Sequence, residues 1–558
     1  MHLAYSVAEI RAAEAPLISA AADRGDPDAV MRRAAAGVDS AVRRLLRQRP
    51  GKLYGAHVLL LVGSGDNGGD ALYAGATLRS AGVAVTALLL GSRVHERALA
   101  AFRRAGGRVL DGAAEEATGA TAEAANGSGM TTPAPPDVAV DGVVGLGGRG
   151  PLREPAASVV TDLHSTGVPI VAVDIPSGVD ADTGIAHDPS VRATTTVTFG
   201  AYRRAHLLAS PQCGDVEFVD IGLTLPDHPA DPLTTVFATA AGARWPVPGP
   251  ADDKYTQGVV AVRAGSPKYP GAAVLSAVAA VAATSGMVRY CGPGVEEVLR
   301  VRPEIVAAGG VTSTGRAQAW VAGPGMGTGP DAVADLDAIL GRGVPTLLDA
   351  DALTCVADFP ALLRRRKAPI VLTPHAGEFT RLTGRELTPE SDRSAELRAY
   401  LQRLREQGVD ATVLLKGRVT LVDDGVRQYA VDAGSSWAAT AGSGDVLSGL
   451  AGALLAARTE ESPATVLADA ATLHSVAALR AAGRHDPGGR SEGPQYVAGQ
   501  APGSQAPGSQ AVGAPIGASD LLAAIPGTIA DLRARASREI AVGARPAARD
   551  AGHTPPRT

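Results

Sequence analysis

The stretch TAGSGDVLSG, residues 440–449, places three small residues before an aspartate and an apolar run after it. This pattern predicts a tight turn that opens a helix, as in α/β proteins. The free N–H groups of such a turn, together with the helix dipole, form a site for phosphate oxygens. A carboxylate such as Asp445 repels phosphate, so its natural task there is to take a proton from a hydroxyl that attacks phosphorus. The plainer alternative is that Asp445 only caps the helix.

The composition predicts a protein with two large cores. At 558 residues the chain exceeds one ordinary core, and 45% hydrophobic content with 3% aromatics indicates cores of Ala, Val and Leu. A net charge of −5 without a concentrated basic patch argues against nucleic acid as a partner. Three widely spaced cysteines favour a reducing cytoplasm over a disulfide framework. We also expect no signal peptide and no membrane span, since the longest uncharged run, 270–288, is too weakly apolar.

The first half of the chain alternates short apolar strands with helical patterns. The predicted strands are HVLLLVG (57–63), VAVTALLLG (83–91), DVAVDGVVG (137–145) and VPIVAVDIPSG (168–178), with helices at about 70–81, 94–105 and 155–166. Continuous apolar strands between helices predict a parallel sheet that is covered on both faces. Residues 112–136 are expected to form a disordered surface insertion.

The pattern resets around 246–253, which predicts a boundary between domains at 1–243 and 250–540. Strand-then-turn units follow at GVVAVRAGS (258–266), AWVAGPGMG (319–327), VPTLLDADAL (344–353), APIVLTPHAGEF (368–379) and ATVLLKG (411–417). Residues 484–518 are expected to form a low-complexity loop before a final helix at about 519–536. The tail, 541–558, is expected to be disordered.

Polar residues in the first half gather where its strands end. The glycine-rich segment VGSGDNGGDAL (62–72) follows a strand, and Asn67, Asp141 and Ser177 offer oxygens at three neighbouring strand ends. Such a set suits a monovalent or hard cation, although each residue alone is more often a cap. The glycines do not form a Walker A loop, because no Lys-Ser/Thr pair follows them, and they fit a dinucleotide fingerprint only loosely.

The second half shows the same placement of polar residues at strand ends. Lys268 lies in a glycine turn, Asp349 and Asp351 end one strand, and His375 and Glu378 follow another. Lys416 ends the strand VLLKG, where a cation can meet phosphate. GPGMG (323–327) adds a turn that is open to close backbone approach. Their common position predicts a single phosphate-handling site.

These motifs resemble two enzyme families. KYTQG (254–258), GSPKYPGAA (265–273), GPGMG, DADAL (349–353), LTPHAGEF (372–379) and AGSGDVLSG (441–449) resemble the ADP/ATP-dependent NAD(P)H-hydrate dehydratases. GSGDNGGDAL (63–72), DGVVGLGGRGP (141–151) and VDIPSGVDADTG (173–184) resemble the NAD(P)H-hydrate epimerases. The resemblance implies an α/β protein with an N-terminal Rossmann-like α/β/α domain and a C-terminal ribokinase-like α/β/α domain.

The family's chemistry implies repair of hydrated NAD(P)H, whose R and S forms differ at C6 of the nicotinamide ring. The first domain would epimerise NADHX and NADPHX, and the second would dehydrate the S form at the expense of ADP, giving AMP and phosphate. ATP in place of ADP, the preferred hydrate and a homo-oligomeric state stay open. The alternative is a ribokinase-like small-molecule kinase whose N-terminal nucleotide-binding domain is not catalytic.

The resemblance also implies site residues. In the epimerase, Asp174 would be the acid/base, and the hydrate would be held by Asp66, Asn67, Gly68, Gly69, Asp70, Gly145, Leu146, Gly147, Gly148, Arg149, Gly150, Pro151 and Asp174. K⁺ would be bound by Asn67, Asp141 and Ser177. In the dehydratase, Asp445 would be the base. The hydrate would contact Ala273, Gly327, His375 and Asp445. ADP with Mg²⁺ would lie against Lys416, Gly417, Arg418, Val419, Thr420, Gly442, Ser443 and Gly444. The sequence departs from the family at Asp66, where Asn is commoner, and at Ala71, where Gly is commoner.

Overall fold

The computed structural model describes residues 2–48, 53–111, 135–227, 229–366, 368–483 and 513–543. Most of the predicted insertion at 112–136, most of the predicted loop at 484–518 and the tail after Gly543 lie outside these described residues. The final helix extends from Ala518 to Gly543, past the expected end near residue 536.

The described residues form nineteen strands in two sheets. They are β1 His2–Tyr5, β2 His57–Val62, β3 Ala84–Leu89, β4 Arg108–Asp111, β5 Val138–Gly142, β6 Ile170–Val173, β7 Thr195–Phe199, β8 Tyr202–Arg203, β9 Asp215–Val219, β10 Leu233–Thr235, β11 Val259–Arg263, β12 Met287–Tyr290, β13 Val306–Ala307, β14 Ala319–Ala322, β15 Thr346–Leu348, β16 Ile370–Leu372, β17 Ala411–Leu415, β18 Val419–Asp423 and β19 Gln428–Asp432.

The first sheet has seven strands in the order β4-β3-β2-β5-β6-β7-β9, and every pairing is parallel. Alternate residues of one strand enter different cores: Val138 and Val140 pack on one face, and Ala139 packs on the other. Both faces are therefore buried, which explains the unbroken apolar strands. The chain reverses its direction of travel across the sheet between β2 and β5, which is where ligands bind in such sheets.

The second sheet has twelve strands in the order β13-β12-β11-β14-β15-β16-β17-β18-β19-β10-β1-β8. Its β13 to β17 block is parallel, and its reversal point lies between β11 and β14. The pairings of β18 with β17 and β19 are antiparallel. Val260 and Val262 face one core while Val259 and Ala261 face the other, so this sheet is also covered on both faces.

The two halves of the chain share the second sheet. Strand β10 pairs with β19, and β1 lies between β10 and β8, so residues from the beginning of the chain extend a sheet built mostly by its end. Arg204 adds a side-chain link, because its Nη2 donates to Ser394 Oγ at 3.0 Å. The division into 1–243 and 250–540 stays a prediction, but three strands of the first range belong to the second sheet.

Helices cover the faces of both sheets. They are Val7–Asp23, Ala29–Gln48, Asp66–Ser80, Glu96–Arg104, Ala156–Ser165, Arg204–Leu208, Ser210–Cys213, Ala238–Ala243, Pro270–Ala283, Val295–Val301, Pro330–Leu340, Asp351–Asp358, Ala361–Arg364, Ala376–Thr383, Arg393–Glu406, Ser443–Ala457, Pro463–Ala481 and Ala518–Gly543, with a 3₁₀ turn at Val311–Ser313. Helix Ser443–Ala457 lies directly on the second sheet, because a Cβ at Gly452 would stand 2.0 Å from Val321 Cγ2.

The predicted fold class is confirmed: both units are α/β, with mainly parallel sheets between helical layers. The first predicted helix begins at Asp66 rather than near Asp70, since the glycine-rich segment itself forms the first helical turn. Among the described residues, no helix combines the length and apolar character that crossing a membrane requires. The three cysteines are buried and unpaired.

Candidate active sites

A cavity of about 1040 Å³ opens at the reversal point of the first sheet. It is lined by most of the residues that the resemblance implies for the epimerase: Asp66, Asn67, Asp70, Gly145, Leu146, Gly147, Gly148, Arg149, Gly150, Pro151 and Asp174. They follow β2, β5 and β6, three strands that lie side by side. The parallel arrangement therefore brings together segments that are more than a hundred residues apart in sequence.

Gly68 and Gly69 do not line this cavity. Both are buried in helix Asp66–Ser80, where a Cβ at Gly68 would stand 2.4 Å from the carbonyl oxygen of Gly63. A Cβ at Gly69 would stand 2.7 Å from Met31 Sδ. These glycines allow the helix to begin tightly against the end of β2, and so they position the residues on either side of them.

Asp174 occupies a strained position at the end of β6. Its φ of 66° is in the left-handed region that a residue with a side chain rarely adopts. The carboxylate is 3% exposed and is held by Arg203, with Nη2 and Oδ1 2.9 Å apart, and by Thr198 Oγ1 at 3.2 Å. Strain and pairing together fix this carboxylate in the wall of the cavity.

Arg203 is a site residue that the sequence did not reveal. It is 1% exposed, and its Nη1 donates to the carbonyl of Ala201 at 2.8 Å. His206 supports the same segment: its Nδ1 accepts from the Arg203 amide at 3.0 Å, and Nε2–H donates to the Asp174 carbonyl at 2.7 Å. Burial lowers the pKa of His206 to about 4, so this imidazole is neutral and its tautomer is fixed. YRRAH matches no motif, and only the fold places its first arginine against Asp174.

Asn67, Asp141 and Ser177 meet as the strand ends predict. Ser177 Oγ donates to Asp141 Oδ1 at 2.6 Å, and the Ser177 amide donates to Oδ2 at 2.8 Å. Asn67 Nδ2 donates to the carbonyl of Val144 at 3.4 Å, and Ser177 Oγ lies 3.4 Å from that same oxygen. Burial raises the pKa of Asp141, although its hydrogen bonds from Ser177 and Val143 oppose the shift.

The donor chemistry of this cluster fits a hard cation, because carboxylate, hydroxyl and carbonyl oxygens converge there, and the side-chain amide of Asn67 lies beside them. The described residues contain no group of three or more His, Cys, Asp or Glu side chains that could hold a metal ion. A cation at Asp141 would therefore depend on amide and hydroxyl oxygens such as those of Asn67 and Ser177.

The second site is built around the turn at Gly442–Asp445. Gly442 has φ of 83° and precedes the first residue of helix Ser443–Ala457, so the predicted turn and helix are confirmed. His474 holds the turn from behind: its Nε2–H donates to the Ser443 carbonyl at 3.0 Å and lies 3.2 Å from Ser443 Oγ. Asp445 stands in the first helical turn beside the free amides.

Lys416 reaches this turn from the end of β17. Its Nζ lies 2.8 Å from Asp349 Oδ1 and 3.6 Å from Glu378 Oε2, and a Cβ at Gly444 would stand 3.5 Å from it. Ser448 Oγ donates to the other oxygen of Asp349 at 2.7 Å. Burial lowers the pKa of Lys416, but Asp349 and Glu378 more than offset it, and the net shift is upward. Lys416 thus stays charged beside the turn.

Asp445 is a carboxyl group of this site with a raised pKa. Burial, and then the negative charge of Asp349, raise the pKa of Asp445 to about 6, while Lys416 opposes the shift. A carboxylate with a pKa near neutrality is a stronger base than an ordinary one and is still largely ionised at pH 7.

The strand end at LDADAL is strained, as Asp174 is in the first site. Ala350 has φ of 48°, between Asp349, which binds Lys416, and Asp351, whose Oδ2 accepts from the Gly327 amide at 2.8 Å. The turn GPGMG packs against this segment so closely that a Cβ at Gly323 would stand 1.8 Å from the Asp349 carbonyl oxygen. One strained residue thus separates the acid that binds Lys416 from the acid that binds the Gly327 amide.

His375 lies at the rim of the site with its side chain 59% exposed. Its Nδ1 accepts from the amides of Gly377 and Glu378, and Glu378 Oε2 accepts from the His375 amide at 2.8 Å, a reciprocal cap of helix Ala376–Thr383. The same cap places Nε2 3.5 Å from Glu378 Oε1. Ala273, by contrast, is fully buried in helix Pro270–Ala283.

The segment Lys416–Thr420 joins β17 to β18 at the same edge. Arg393 holds it, since Nη1 donates to the Val419 carbonyl at 2.9 Å and Nη2 donates to the Lys416 carbonyl at 3.4 Å. Arg418 is ion-paired with Asp432. The sequence motifs place Asp349 and Glu378 after strands but assign them no role. They do not indicate that Arg393, Ser448 and His474 belong to the site.

Comparison with known proteins identifies the family. Residues 260–492 match the family described as NAD(P)H-hydrate dehydratase, and residues 27–205 match the family described as YjeF-related protein N-terminus. The bifunctional NAD(P)H-hydrate repair enzymes of Mycobacterium leprae and Mycobacterium tuberculosis are each 50% identical, over 81% of this chain and 89% of theirs. A solved ADP/ATP-dependent NAD(P)H-hydrate dehydratase from Bacillus subtilis, co-crystallised with ATP/Mg²⁺, is 22% identical over 54% of this chain and 98% of its own, with a TM-score of 0.42. The chain belongs to the family of bifunctional NAD(P)H-hydrate repair enzymes.

Proposed function

We propose that this chain repairs hydrated NADH and NADPH at two sites. The cavity of the first sheet interconverts the R and S hydrates, and the turn of the second sheet dehydrates the S hydrate at the expense of ADP, giving AMP and phosphate. The observation that carries the proposal is the pairing of Asp445, a carboxylate of raised pKa, with a phosphate-binding turn and the charged Lys416. A helix cap alone explains neither the raised pKa nor the neighbouring lysine.

In the second site Asp445 takes the proton of the C6 hydroxyl as that oxygen attacks the terminal phosphorus of ADP. The amides of the turn Gly442–Gly444 and the ammonium of Lys416 stabilise the charge on the transferring group. The C6 oxygen then leaves as phosphate, driven by the ring nitrogen, and loss of a proton from C5 restores NAD(P)H. The phosphorylated hydrate is therefore transient.

The nucleotide lies against Lys416, Gly417, Arg418, Val419 and Thr420, with its terminal phosphate at Gly442, Ser443 and Gly444. Mg²⁺ is usually held by one or two protein carboxylates together with substrate phosphates. Asp349 and Glu378 fit that need, because both reach the Lys416 ammonium beside the turn. When bound, the cation would neutralise phosphate charge. Ala273, Gly327 and His375 would hold the hydrate.

In the first site Asp174 is the acid/base, supported by its strain, its burial and its contact with the cavity. The residues that line the cavity between Asp66 and Asp70 and between Gly145 and Pro151 would hold the hydrate. Asn67, Asp141 and Ser177 would hold K⁺. When bound, that ion would offset the negative charge of the phosphates.

An assay of both hydrates tests the proposal. Purified full-length protein is given the R or the S hydrate, with ADP, with ATP or with no nucleotide. Recovery of NADH is followed by its near-ultraviolet absorbance, and the R and S forms are separated by chromatography. We expect recovery from S with ADP, faster recovery from R than spontaneous epimerisation allows, and epimerisation without nucleotide. A stable phosphorylated product without recovered NADH would instead establish the kinase alternative.

We also propose that the protein works in a reducing compartment, the cytoplasm, which the three buried, unpaired cysteines support. Self-association stays a prediction. Light scattering of the purified protein would measure the mass of the assembly, and thiol titration after denaturation without reductant would count the free cysteines.

A further inference from the structure

Asp70 is a buried carboxyl group in the cavity wall of the first site. It lies in helix Asp66–Ser80, is 6% exposed and lines the cavity. Its Oδ1 has no hydrogen-bond partner among the described residues. Buried polar atoms without a partner are rare in folded proteins, and they gather at sites where a ligand completes them. We therefore expect this oxygen of Asp70 to contact the substrate when it is bound.

The surroundings of Asp70 are acidic. Burial first, and then the negative charges of Asp174, Asp66 and Glu14, hold the pKa of Asp70 well above its ordinary value. The guanidinium of Arg203 is engaged with Asp174 at 2.9 Å and lies 3.7 Å from Glu14. These surroundings favour the protonated form of the Asp70 carboxyl group, the form that can donate a proton.

Asp174 is the opposite case in the same cavity. Its carboxylate accepts from Thr198 and is ion-paired with Arg203. One cavity thus holds a carboxyl group that is paired with Arg203 and another whose Oδ1 has no partner among the described residues. Such pairs divide the roles of acid and base between two residues of the same type.

We propose that Asp70 is the second catalytic residue of epimerisation, donating the proton that the departing C6 oxygen needs while Asp174 accepts one from the incoming water. This inference rests on the proposed function and names the partner of Asp174. Inversion at C6 requires a group to leave one face and another to arrive on the opposite face. Two proton-transfer groups accomplish this better than one.

The step balances as follows. The ring nitrogen donates its electron pair to C6, the C6–O bond breaks, and the Asp70 proton converts the leaving hydroxyl to water. A water then adds to the other face of C6, its electron pair forming the new C–O bond and returning the former pair to nitrogen. The added water gives one proton to Asp174. That proton returns to Asp70 through solvent, so the enzyme and the composition of the substrate are both restored.

Epimerisation by the full chain without nucleotide tests this role. We expect Asp70→Asn to lower kcat at least about 100-fold with little change in KM, because Asn keeps the shape but cannot donate an acid proton. Wild-type kcat/KM should fall at high pH as Asp70 loses its proton, and this alkaline limb should be absent from the residual activity of the variant. Wild-type turnover in ¹⁸O-labelled water should place the label at C6.

A matched control is Asp215→Asn in β9. Burial raises the pKa of Asp215 to about 6, but this residue does not line the cavity, so its variant should keep the wild-type rate and pH profile. Asp70→Asn with normal kcat, with an altered KM only or with an unchanged alkaline limb would overturn the inference, and so would turnover without labelling. If wild-type protein did not epimerise at all, the proposed function itself would fail.

Discussion

The two candidate sites contain the same kinds of residue in different arrangements. Each lies where parallel strands end, and each contains one of the two residues other than glycine with positive φ among those described, Asp174 and Ala350. Each also contains a buried cation tied to a carboxylate. In the first site the strained residue carries that carboxylate itself, whereas in the second the strain lies one residue beyond Asp349.

The two sites also differ in which carboxyl group the cationic side chain binds and in which one has a raised pKa. Arg203 binds Asp174 while Asp70 Oδ1 has no partner among the described residues, and Lys416 binds Asp349 rather than Asp445. In each site the raised pKa thus belongs to a carboxyl group that the cationic side chain does not bind.

The largest expected effect is that of Asp445→Asn. It should lower dehydratase turnover about 1,000-fold or more, because the C6 hydroxyl loses its base, while ADP still binds. The raised folded-state pKa means that the ionised carboxylate weakens folding above that pKa, so the variant should be at least as stable at pH 7. Turnover, ADP titration calorimetry and thermal unfolding measure the three quantities. Near-normal turnover would remove Asp445 from its role.

Asp174→Asn should lower epimerisation about 100-fold and leave dehydration of the S hydrate intact. The variant also leaves Arg203 buried without its partner, so a loss of stability is expected, and thermal unfolding must show a folded protein at the assay temperature. Epimer separation by chromatography gives the rate. If the two activities fell together, the sites could not be treated as independent.

The pH dependence of dehydration tests the raised pKa of Asp445. Dehydration should lose about tenfold in rate for each pH unit below about 6, because Asp445 must be ionised to act and its pKa is raised to about 6. Activity is retained above that value and lost as pH falls through it. Initial rates with saturating S hydrate and ADP between acid and neutral pH measure the midpoint. A midpoint at the ordinary aspartate pKa would contradict the assignment.

Asp349→Asn should move that midpoint downward and reduce dehydratase turnover by roughly tenfold. Removing the nearby negative charge lowers the pKa of Asp445, and it frees Lys416 from its closest partner. Asp337→Asn, which removes an exposed carboxylate paired with Arg365, is the control and should change neither quantity. An unchanged midpoint in Asp349→Asn would show that burial alone sets the pKa.

The smallest effect is expected from Asp66→Asn, which introduces the residue that the resemblance to the epimerases predicts at this position. Asp66 is exposed at the cavity, so removing its charge should tighten hydrate binding only a few-fold, and less at high salt. KM for the R hydrate at low and high ionic strength measures the change. Weaker binding in the variant would mean that Asp66 makes a favourable contact rather than a repulsive one.

The sequence itself indicated the strands and turns that carry the two sites, but it did not indicate other strands such as β7, β12, β18 and β19. Short apolar runs such as residues 57–62, between helical patterns, indicate buried strands, and the glycines before Asp445 indicate a turn that opens a helix. Local composition carries this information, because it depends on neighbours within a few residues. The helix start at Asp66 was missed because glycine is a poor helix former and its need there is steric.

Only the tertiary structure decided which charges meet. Nothing near Arg203 indicates that it will be buried against Asp174, and Lys416 and Asp349 are 67 residues apart. Nor does the sequence indicate that β1, β10 and β8 extend the sheet of the second half. A pKa depends on burial and on charges brought close by folding, so motifs can locate a carboxyl group but cannot show whether it holds its proton.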